Sequence, residues 1–325
     1  MVASMVFWIR CVEKEKGKKM KRFEKGPTWL VALLLLAFLP GCGDSILGSS
    51  GSSSGSGGSG PGRAGVVPAL GAAAAFGGLG GGAGMTNTGV NTVITGAQGQ
   101  PVSIGTTGVA TTMTGFHSAN AGCIYTETGA NIGAVNGTIN TNGPPPGSFT
   151  APCSVGPTEA NATTFAAAQA AAAAALVAFN DLAGRPGAAD PGANLGGLTL
   201  APGIYKTAGG SFLITGSDLT LDAGGNANAV WVFQMASSLT VGAPALPRSI
   251  ILAGGAQPKN VFWQVGSSAT INGAGGGTMV GTIISSASTT FSTLGNVAIT
   301  TLNGRALALN ASVTMVNTVI NVPAP

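Results

Sequence analysis

The sequence predicts a mainly β fold, a three-sided β-solenoid with one long α-helix packed along one face. A short motif returns through the C-terminal half: a polar residue, a mostly apolar residue, a threonine and a second apolar residue. The central threonines, spaced 20, 30, 20 and 24 residues apart, are Thr220, Thr240, Thr270, Thr290 and Thr314. Repeats at such intervals are typical of solenoids, and strand side chains alternate between two faces. Stacked coils would therefore align these threonines in one outward column.

The strongest helix signal covers residues 158–183. Alanine, the best helix former, dominates this segment, Thr158 is suited to be its N-cap, and Gly184 would end it. We expect one stripe at helical spacing to pack against a sheet. This stripe holds Phe165, Ala168, Ala172, Leu176 and Phe179.

Three sets of strands would form the sides of the coil. Residues 230–238 and 261–268 predict strands that are covered on both sides, because apolar residues stand there at successive positions. The alanine-rich helix is the natural cover for them, while the threonine column stays open. A third set, at residues 249–252, at Val280 and at residues 297–300, would complete a three-sided coil.

The N-terminus predicts an export signal in residues 1–41. Eight of the fourteen basic residues precede an apolar run of eleven residues that begins at Trp29 and is too short to span a bilayer. Translation starts at Met1 or at Met20, and the sequence leaves both open.

The export signal is followed by Cys42, and residues 39–42 resemble a bacterial lipobox. We therefore expect a lipid anchor on Cys42 and an outer-membrane lipoprotein on the cell surface or the periplasmic side. Ordinary signal cleavage, with Cys42 incidental, is the alternative. Residues 42–64 are rich in glycine and serine, which predicts a flexible tether to a folded domain at residues 65–325.

Residues 115–156 predict an insert that caps one end of the solenoid and is partly held by a disulfide. Cys123 and Cys153 lie in this insert, and a disulfide is the default for cysteines of an exported protein. A metal site would need more ligands than His117, the single histidine, supplies.

The composition argues against an enzyme and against a nucleic-acid binder. Only 7% of the residues are charged, against about 25% in ordinary domains. Six basic and seven acidic residues follow Cys42, which leaves no basic stripe for nucleic acid. Asp218 and Asp222, the closest acidic pair after Cys42, are better explained as a solvated edge than as a polysaccharide-cleaving site. We therefore expect no catalytic residue, no cofactor, no metal and no small-molecule substrate.

Several strings, spread over residues 70–321, resemble the microbial ice-binding protein family. They are GGLTLAPGIY at residues 196–205, NVFWQVGSSAT at 260–270, NGRALA at 303–308, TNTG at 86–89 and FNDLAGRP at 179–186. The resemblance implies a discontinuous β-solenoid with a helix along one face and one flat face that binds ice. It also implies a disulfide-closed cap, which Cys123 and Cys153 would match.

The predicted partner is thus the surface of an ice crystal, and the predicted site combines the threonine column with its polar neighbours. The site residues are Thr220, Ser238, Thr240, Ser268, Thr270, Asn272, Ser288, Thr290, Ser312 and Thr314. A rigid face of hydroxyl and methyl groups would order water that merges with the ice lattice. The rival prediction is a lipid-anchored adhesin or polysaccharide-binding solenoid without an ice function.

Overall fold

A computed structural model describes residues 65–118, 123–143, 161–243, 246–293 and 295–324. The predicted export signal, the tether with Cys42, and Cys153 lie outside these residues. The N-terminal part of the described chain forms nine short strands: β1 (Phe76–Gly80), β2 (Met85–Asn87), β3 (Thr92–Gly96), β4 (Ser103–Val109), β5 (Met113–Thr114), β6 (Phe116–Ser118), β7 (Ile124–Tyr125), β8 (Gly133–Val135) and β9 (Ile139–Asn142).

One long helix, α1 (Ala162–Ala183), separates these strands from the C-terminal part. Fourteen further strands follow it: β10 (Thr199–Leu200), β11 (Gly203–Lys206), β12 (Phe212–Ile214), β13 (Leu219–Asp222), β14 (Trp231–Met235), β15 (Leu239–Val241), β16 (Ile250–Ala253), β17 (Val261–Val265), β18 (Ala269–Ile271), β19 (Thr278–Ser285), β20 (Thr289–Phe291), β21 (Thr300–Ala308), β22 (Val313–Met315) and β23 (Thr318–Val322).

The strands form the three sides of a solenoid. The threonine face is one parallel sheet in the order β12-β15-β18-β20-β22-β2-β5. The helix face joins β11, β14 and β17 to the second halves of β19 and β21, followed by β1, β4 and β9. The third face contains β10, β13 and β16, and also the first halves of β19 and β21 with β23, β3, β8, β6 and β7. The predicted three-sided coil is confirmed.

Two long strands turn the corner between the third face and the helix face. Residues 300–303 of β21 pair with β23, whereas Ala306 and Leu307 pair with β1. The bend falls at Gly304, where a Cβ atom would collide with the backbone oxygen of Gly281 in β19. Only glycine lets the two backbones approach this closely.

The coils do not stack in chain order. On the threonine face β22 pairs with β2, and on the third face β23 pairs with β3, so the N-terminal coil follows the C-terminal one. The 22 residues of α1 span about 33 Å, close to the roughly 29 Å of a seven-strand stack. The helix contacts β4 and β9 toward one end of the stack and β14 toward the other. It therefore carries the chain back along the solenoid, which is discontinuous, as the resemblance implies.

The helix begins four residues later than the sequence predicts. Its N-cap is Asn161, whose side chain accepts hydrogen bonds from the backbone N–H groups of Thr163 and Thr164 at 2.8 and 3.0 Å. The Thr164 hydroxyl accepts in turn from the Asn161 N–H at 3.0 Å, which completes a capping box. The prediction of Thr158 as the N-cap is therefore wrong.

The buried stripe of α1 also differs from the prediction. Alanines at positions 168, 171, 175 and 178, together with Leu182, pack against Val232, Phe262, Ile284 and Leu307 of the helix face. Leu176, expected on this stripe, is 48% exposed. Small side chains let the helix lie close to the sheet, so the contact selects alanine rather than the larger residues. Among the described residues, α1 is the helix long and apolar enough to cross a membrane, yet it lies along this sheet.

Aromatic rings at one register position stack through the interior. Tyr205, Phe233 and Trp263 occupy equivalent positions in β11, β14 and β17. The rings of Phe233 and Trp263 are parallel, with centroids 4.0 Å apart. The indole N–H of Trp263 donates to the backbone oxygen of Val280 at 2.9 Å, so the buried polar atom is satisfied. This ladder ties consecutive coils together.

Residues 116–118 and 123–142 lie at the end of the stack, where the sequence predicts a cap. Strand β8 pairs with β3, and β9 pairs with β4, so this region extends two faces of the solenoid. Cys123 is fully buried there and is disulfide-bonded. Its pairing with Cys153 stays a prediction, because Cys153 lies outside the described residues.

Candidate binding face

Six threonines stand in register on the threonine face and are hereafter the threonine row. Neighbouring strands place them in the order Thr240, Thr270, Thr290, Thr314, Thr86 and Thr114. Adjacent strands are about 4.8 Å apart, so the side chains repeat at that distance. The residues on either side of Thr240, Leu239 and Val241, point inward and are buried. The predicted alignment of the four threonines from Thr240 to Thr314 is confirmed.

A second line of hydroxyls, the serine row, runs two residues before the threonine row. It consists of Ser211, Ser238, Ser268, Ser288 and Ser312. The Ser288 hydroxyl donates to the Ser268 hydroxyl at 3.0 Å, and the hydroxyls of Ser211 and Ser238 lie 3.2 Å apart. Backbone hydrogen bonds hold the same line, for example from Leu239 N to Ser268 O at 3.1 Å. These hydroxyls therefore have fixed positions.

The threonine face carries no charge on any of its seven strands. The other two faces differ in this respect, since Asp222 lies in β13 of the third face and Lys206 in β11 of the helix face. A solvated sheet face usually carries lysine and glutamate. Their absence here leaves a continuous surface of methyl and hydroxyl groups.

Thr220 does not belong to the threonine row, and its predicted place in the column is wrong. It stands in β13, where its register partners are Thr199 in β10 and Ile251 in β16, on the third face. In its coil the threonine face is already formed by β12, whose outward residue, Leu213, pairs with Thr240. The local motif around Thr220 resembles the others, but the strand follows one corner later.

Asn272 is also misplaced by the sequence prediction, because its side chain is fully buried. Its backbone has a φ of 46°, a left-handed conformation that asparagine tolerates better than most residues. The side-chain amide accepts from Arg248 N at 2.9 Å and donates to Arg248 O and Gly276 O at 2.9 and 2.8 Å. Asn272 therefore stabilises a corner and is not available to a ligand on the face.

Sequence reasoning missed two threonines and one serine of the face. Thr86 and Thr114 follow buried methionines, Met85 and Met113, in the same order of an apolar residue and a threonine as the later motifs. They lie far upstream of the repeats, and only the discontinuous stacking brings them into the row. Ser211 was missed because the outward residue of the following strand, β12, is Leu213 and not a threonine. The motif that identified the other serines is therefore absent here.

A groove of about 700 Å³ borders the threonine row on the side of the third face. Two loops form its wall, where the Thr293 hydroxyl donates to Gly273 O at 2.6 Å and Asn296 Nδ2 donates to the same oxygen at 2.7 Å. The flat surface is therefore bounded on this edge by a fixed ridge.

Four titratable side chains, those of His117, Glu127, Asp218 and Asp222, form local hydrogen bonds. His117 Nδ1 and Glu127 Oε1 lie 2.7 Å apart at the end of the stack, and Gly133 N donates to the same carboxylate oxygen. Asp218 accepts from Ser249 N, and Asp222 accepts from Gly224 N, each at 2.9 Å. The described residues contain no group of three histidine, cysteine or acidic residues that could hold a metal ion.

The chain is similar to ice-binding proteins in sequence. A family model described as ice-binding-like matches residues 79–321. An ice-binding protein of Nostoc sp. (strain HG1) is 40% identical over 201 residues, which cover 58% of this chain and 70% of that protein. An ice-binding protein of Flavobacterium frigoris (strain PS1) is 35% identical over 44% of this chain and 48% of its own length, so the match spans about half of that relative.

Solved structures of ice-binding proteins share the fold. One from the Antarctic ascomycete Antarctomyces psychrotrophicus has a TM-score of 0.58 and 29% identity, covering 80% of this chain and 100% of that one. Another, from an Arctic yeast and described with its antifreeze activity, has a TM-score of 0.58 and 26% identity over 79% of this chain and 96% of its own. With most of its folded part matched by the family model, the chain belongs to the ice-binding-like family.

Proposed function

We propose that this protein binds ice through the threonine row and the serine row and slows ice growth or recrystallisation. The observation that carries the proposal is the register of six threonines on a face without charge. Family membership supports it, since the relatives named above are ice-binding proteins.

The proposed mechanism is adsorption and requires no catalytic group. Threonine has a stiff χ1 torsion, and each of these threonines stands in a hydrogen-bonded parallel sheet, so little side-chain entropy is lost on binding. Fixed methyl and hydroxyl groups can hold a layer of water that joins the ice lattice. Bound protein then curves the growing ice front and slows its advance. No bond is made or broken, which is why we propose a binding protein rather than an enzyme.

Thr270 provides the direct test, and Thr220 provides a matched control. We expect Thr270→Lys to break the flatness of the face and to lower ice binding at least about tenfold, or roughly 1.4 kcal/mol. The same substitution at Thr220, on the third face, should leave ice binding unchanged. Both variants should keep their free energy of unfolding within about 0.5 kcal/mol, because both sites lie at the surface.

Ice-affinity partitioning and thermal hysteresis measure the effect. Equal losses in the two variants would place ice binding elsewhere on the molecule. If the unmutated protein stayed in the liquid phase but bound a polysaccharide, the adhesin hypothesis would replace this one.

We further propose that the protein is exported and held at the outer membrane by a lipid on Cys42. The support comes from the basic N-terminus, the short apolar run and the position of Cys42 three residues after the end of that run. Mass spectrometry of the membrane-extracted protein should find diacylglycerol on Cys42, and Cys42→Ser should release the protein from the membrane fraction. An unmodified N-terminus in the mature protein would refute the anchor.

A further inference from the structure

Two arginine side chains are almost fully buried in the described chain, and they differ in their partners. Arg185 Nε donates to the carboxylate of Asp181 at 3.2 Å, and the two side chains form an ion pair. Arg305 is 4% exposed and donates only to neutral backbone oxygens. Its Nε and Nη2 donate to Ala74 O at 3.1 and 3.0 Å, and Nη2 donates to Pro323 O at 3.4 Å. A buried cation without an anionic partner is costly, so this exception calls for a cause.

Arg305 borders a cavity of about 360 Å³ between the N-terminal segment and the helix face. This volume lies in the range of small-molecule pockets, about 300–1,000 Å³. The guanidinium has five N–H groups, and those on Nη1 have no partner among the described residues. The apolar side chains of Leu70 and Phe262 also line the cavity.

Within the part of the chain that the structure describes, backbone oxygens are the hydrogen-bond partners of the guanidinium, and none of them carries a negative charge. Burial lowers the pKa of Arg305 to about 10, and the group is still a cation at neutral pH. The neighbouring position on β19 is Thr282, whose hydroxyl is buried and has no hydrogen-bond partner in the described chain. An anion in the cavity would offset the cost of burying the charge.

We propose that this cavity binds a small organic carboxylate, which pairs with Arg305 and rests its apolar part against Phe262 and Leu70. The planar fork of a guanidinium matches the two oxygens of a carboxylate and favours it over a spherical anion. The apolar wall favours an organic body over an inorganic anion. This inference is independent of ice binding, because the cavity lies on the helix face.

Benzoate and benzamide, which share a shape and differ in charge, test the proposal on the full chain. Isothermal titration calorimetry at neutral pH should show benzoate binding at least about tenfold more tightly than benzamide, because a charge-assisted pair replaces a neutral contact. Equal binding of the two compounds, or binding of neither, would overturn the proposal. If phosphate bound as tightly as benzoate, the claim that the cavity prefers an organic anion to an inorganic one would be wrong.

Neighbouring valines give a matched pair of variants that leave Arg305 and its hydrogen bonds in place. Val67 lines the cavity and is 47% exposed, whereas the adjacent Val66 is 57% exposed and lies outside it. Val67→Glu should supply a competing carboxylate at the mouth and abolish benzoate binding, and Val66→Glu should leave it unchanged. Undiminished benzoate binding in Val67→Glu would place the ligand elsewhere.

Discussion

Asn272 holds a corner of the solenoid together through one side-chain amide. Its three hydrogen bonds join β18 to the loop before β16 and to the glycine turn that precedes β19. The left-handed backbone conformation at this position is strained for most other residue types. The residue therefore contributes to the stability of the edge beside the threonine row and not to its surface.

We predict that Asn272→Ala lowers the free energy of unfolding by about 1–3 kcal/mol, because partly buried backbone groups of Arg248 lose their partners. Asn310→Ala is the control, since Asn310 is exposed and makes one hydrogen bond, to Ser286 O. Chemical denaturation measures both. Ice binding per folded molecule should not change in either variant, and a selective loss in Asn272→Ala would return this residue to the binding face.

For single residues, the sequence predicts which residue types line the threonine face, but it does not predict correctly which positions all of them occupy. The motif places Thr240, Thr270 and Thr290 correctly, because alternation within a strand is a local property. It fails at Thr220, because a corner earlier in that coil moves the strand to another side. Burial of Asn272 depends on contacts with Arg248, which lies 24 residues away, and no local pattern reveals it.

The contact between α1 and the helix face depends on small side chains. Ala175 is fully buried against the sheet, whereas Ala173 on the same helix is exposed. Alanine at the buried positions brings the helix axis close to the strands. The helix therefore covers Phe262 and Leu307 on the outer side of the sheet. Where the helix covers the sheet, its strands therefore carry apolar residues on both sides.

We predict that Ala175→Leu destabilises the protein by about 1–3 kcal/mol, because the added atoms have no space between helix and sheet. Ala173→Leu should change the stability by less than about 0.5 kcal/mol, since the new side chain extends into solvent. Thermal unfolding followed by circular dichroism compares the two. Equal stabilities would mean that the helix can move away from the sheet without cost.

The helix itself is well predicted because composition decides it, and its end at Ala183 agrees with the expectation from Gly184. Its start is not, because both Thr158 and Asn161 are good N-caps. Only Asn161 forms the reciprocal pair with Thr164. The buried stripe consists of alanines and not of the larger residues because the helix lies close to a flat sheet. Helical periodicity in a sequence does not predict how closely the helix will approach that sheet.

At the scale of the whole solenoid, the last coil in the sequence pairs with the first coil of the described chain, and we call this junction the seam. Strands β22 and β23 pair with β2 and β3, so the last coil of the chain supports the first. The repeats in the sequence predict that coils form. The discontinuous order of the coils at this seam was implied only by the resemblance to the ice-binding family. Pairing between residues more than 200 positions apart leaves no periodic signal.

We predict that removal of residues 299–325 prevents cooperative folding, because β20 and β1 would both be left with unpaired edges. A chain that ends at Pro323 keeps all strands through β23 and should fold normally. Hydrogen exchange monitored by mass spectrometry distinguishes the two proteins. Persistent protection of β1 to β4 in the shortened chain would show that the N-terminal coils are stable alone.

The seam also affects when this protein becomes functional. Thr314 and Thr86 are neighbours on the face but lie 228 positions apart in the sequence. Before the seam closes, the proposed binding face therefore exists as two separate parts, one with Thr86 and Thr114 and one that runs from Thr240 to Thr314. The proposed binding face is thus complete only in a chain whose first and last coils have paired.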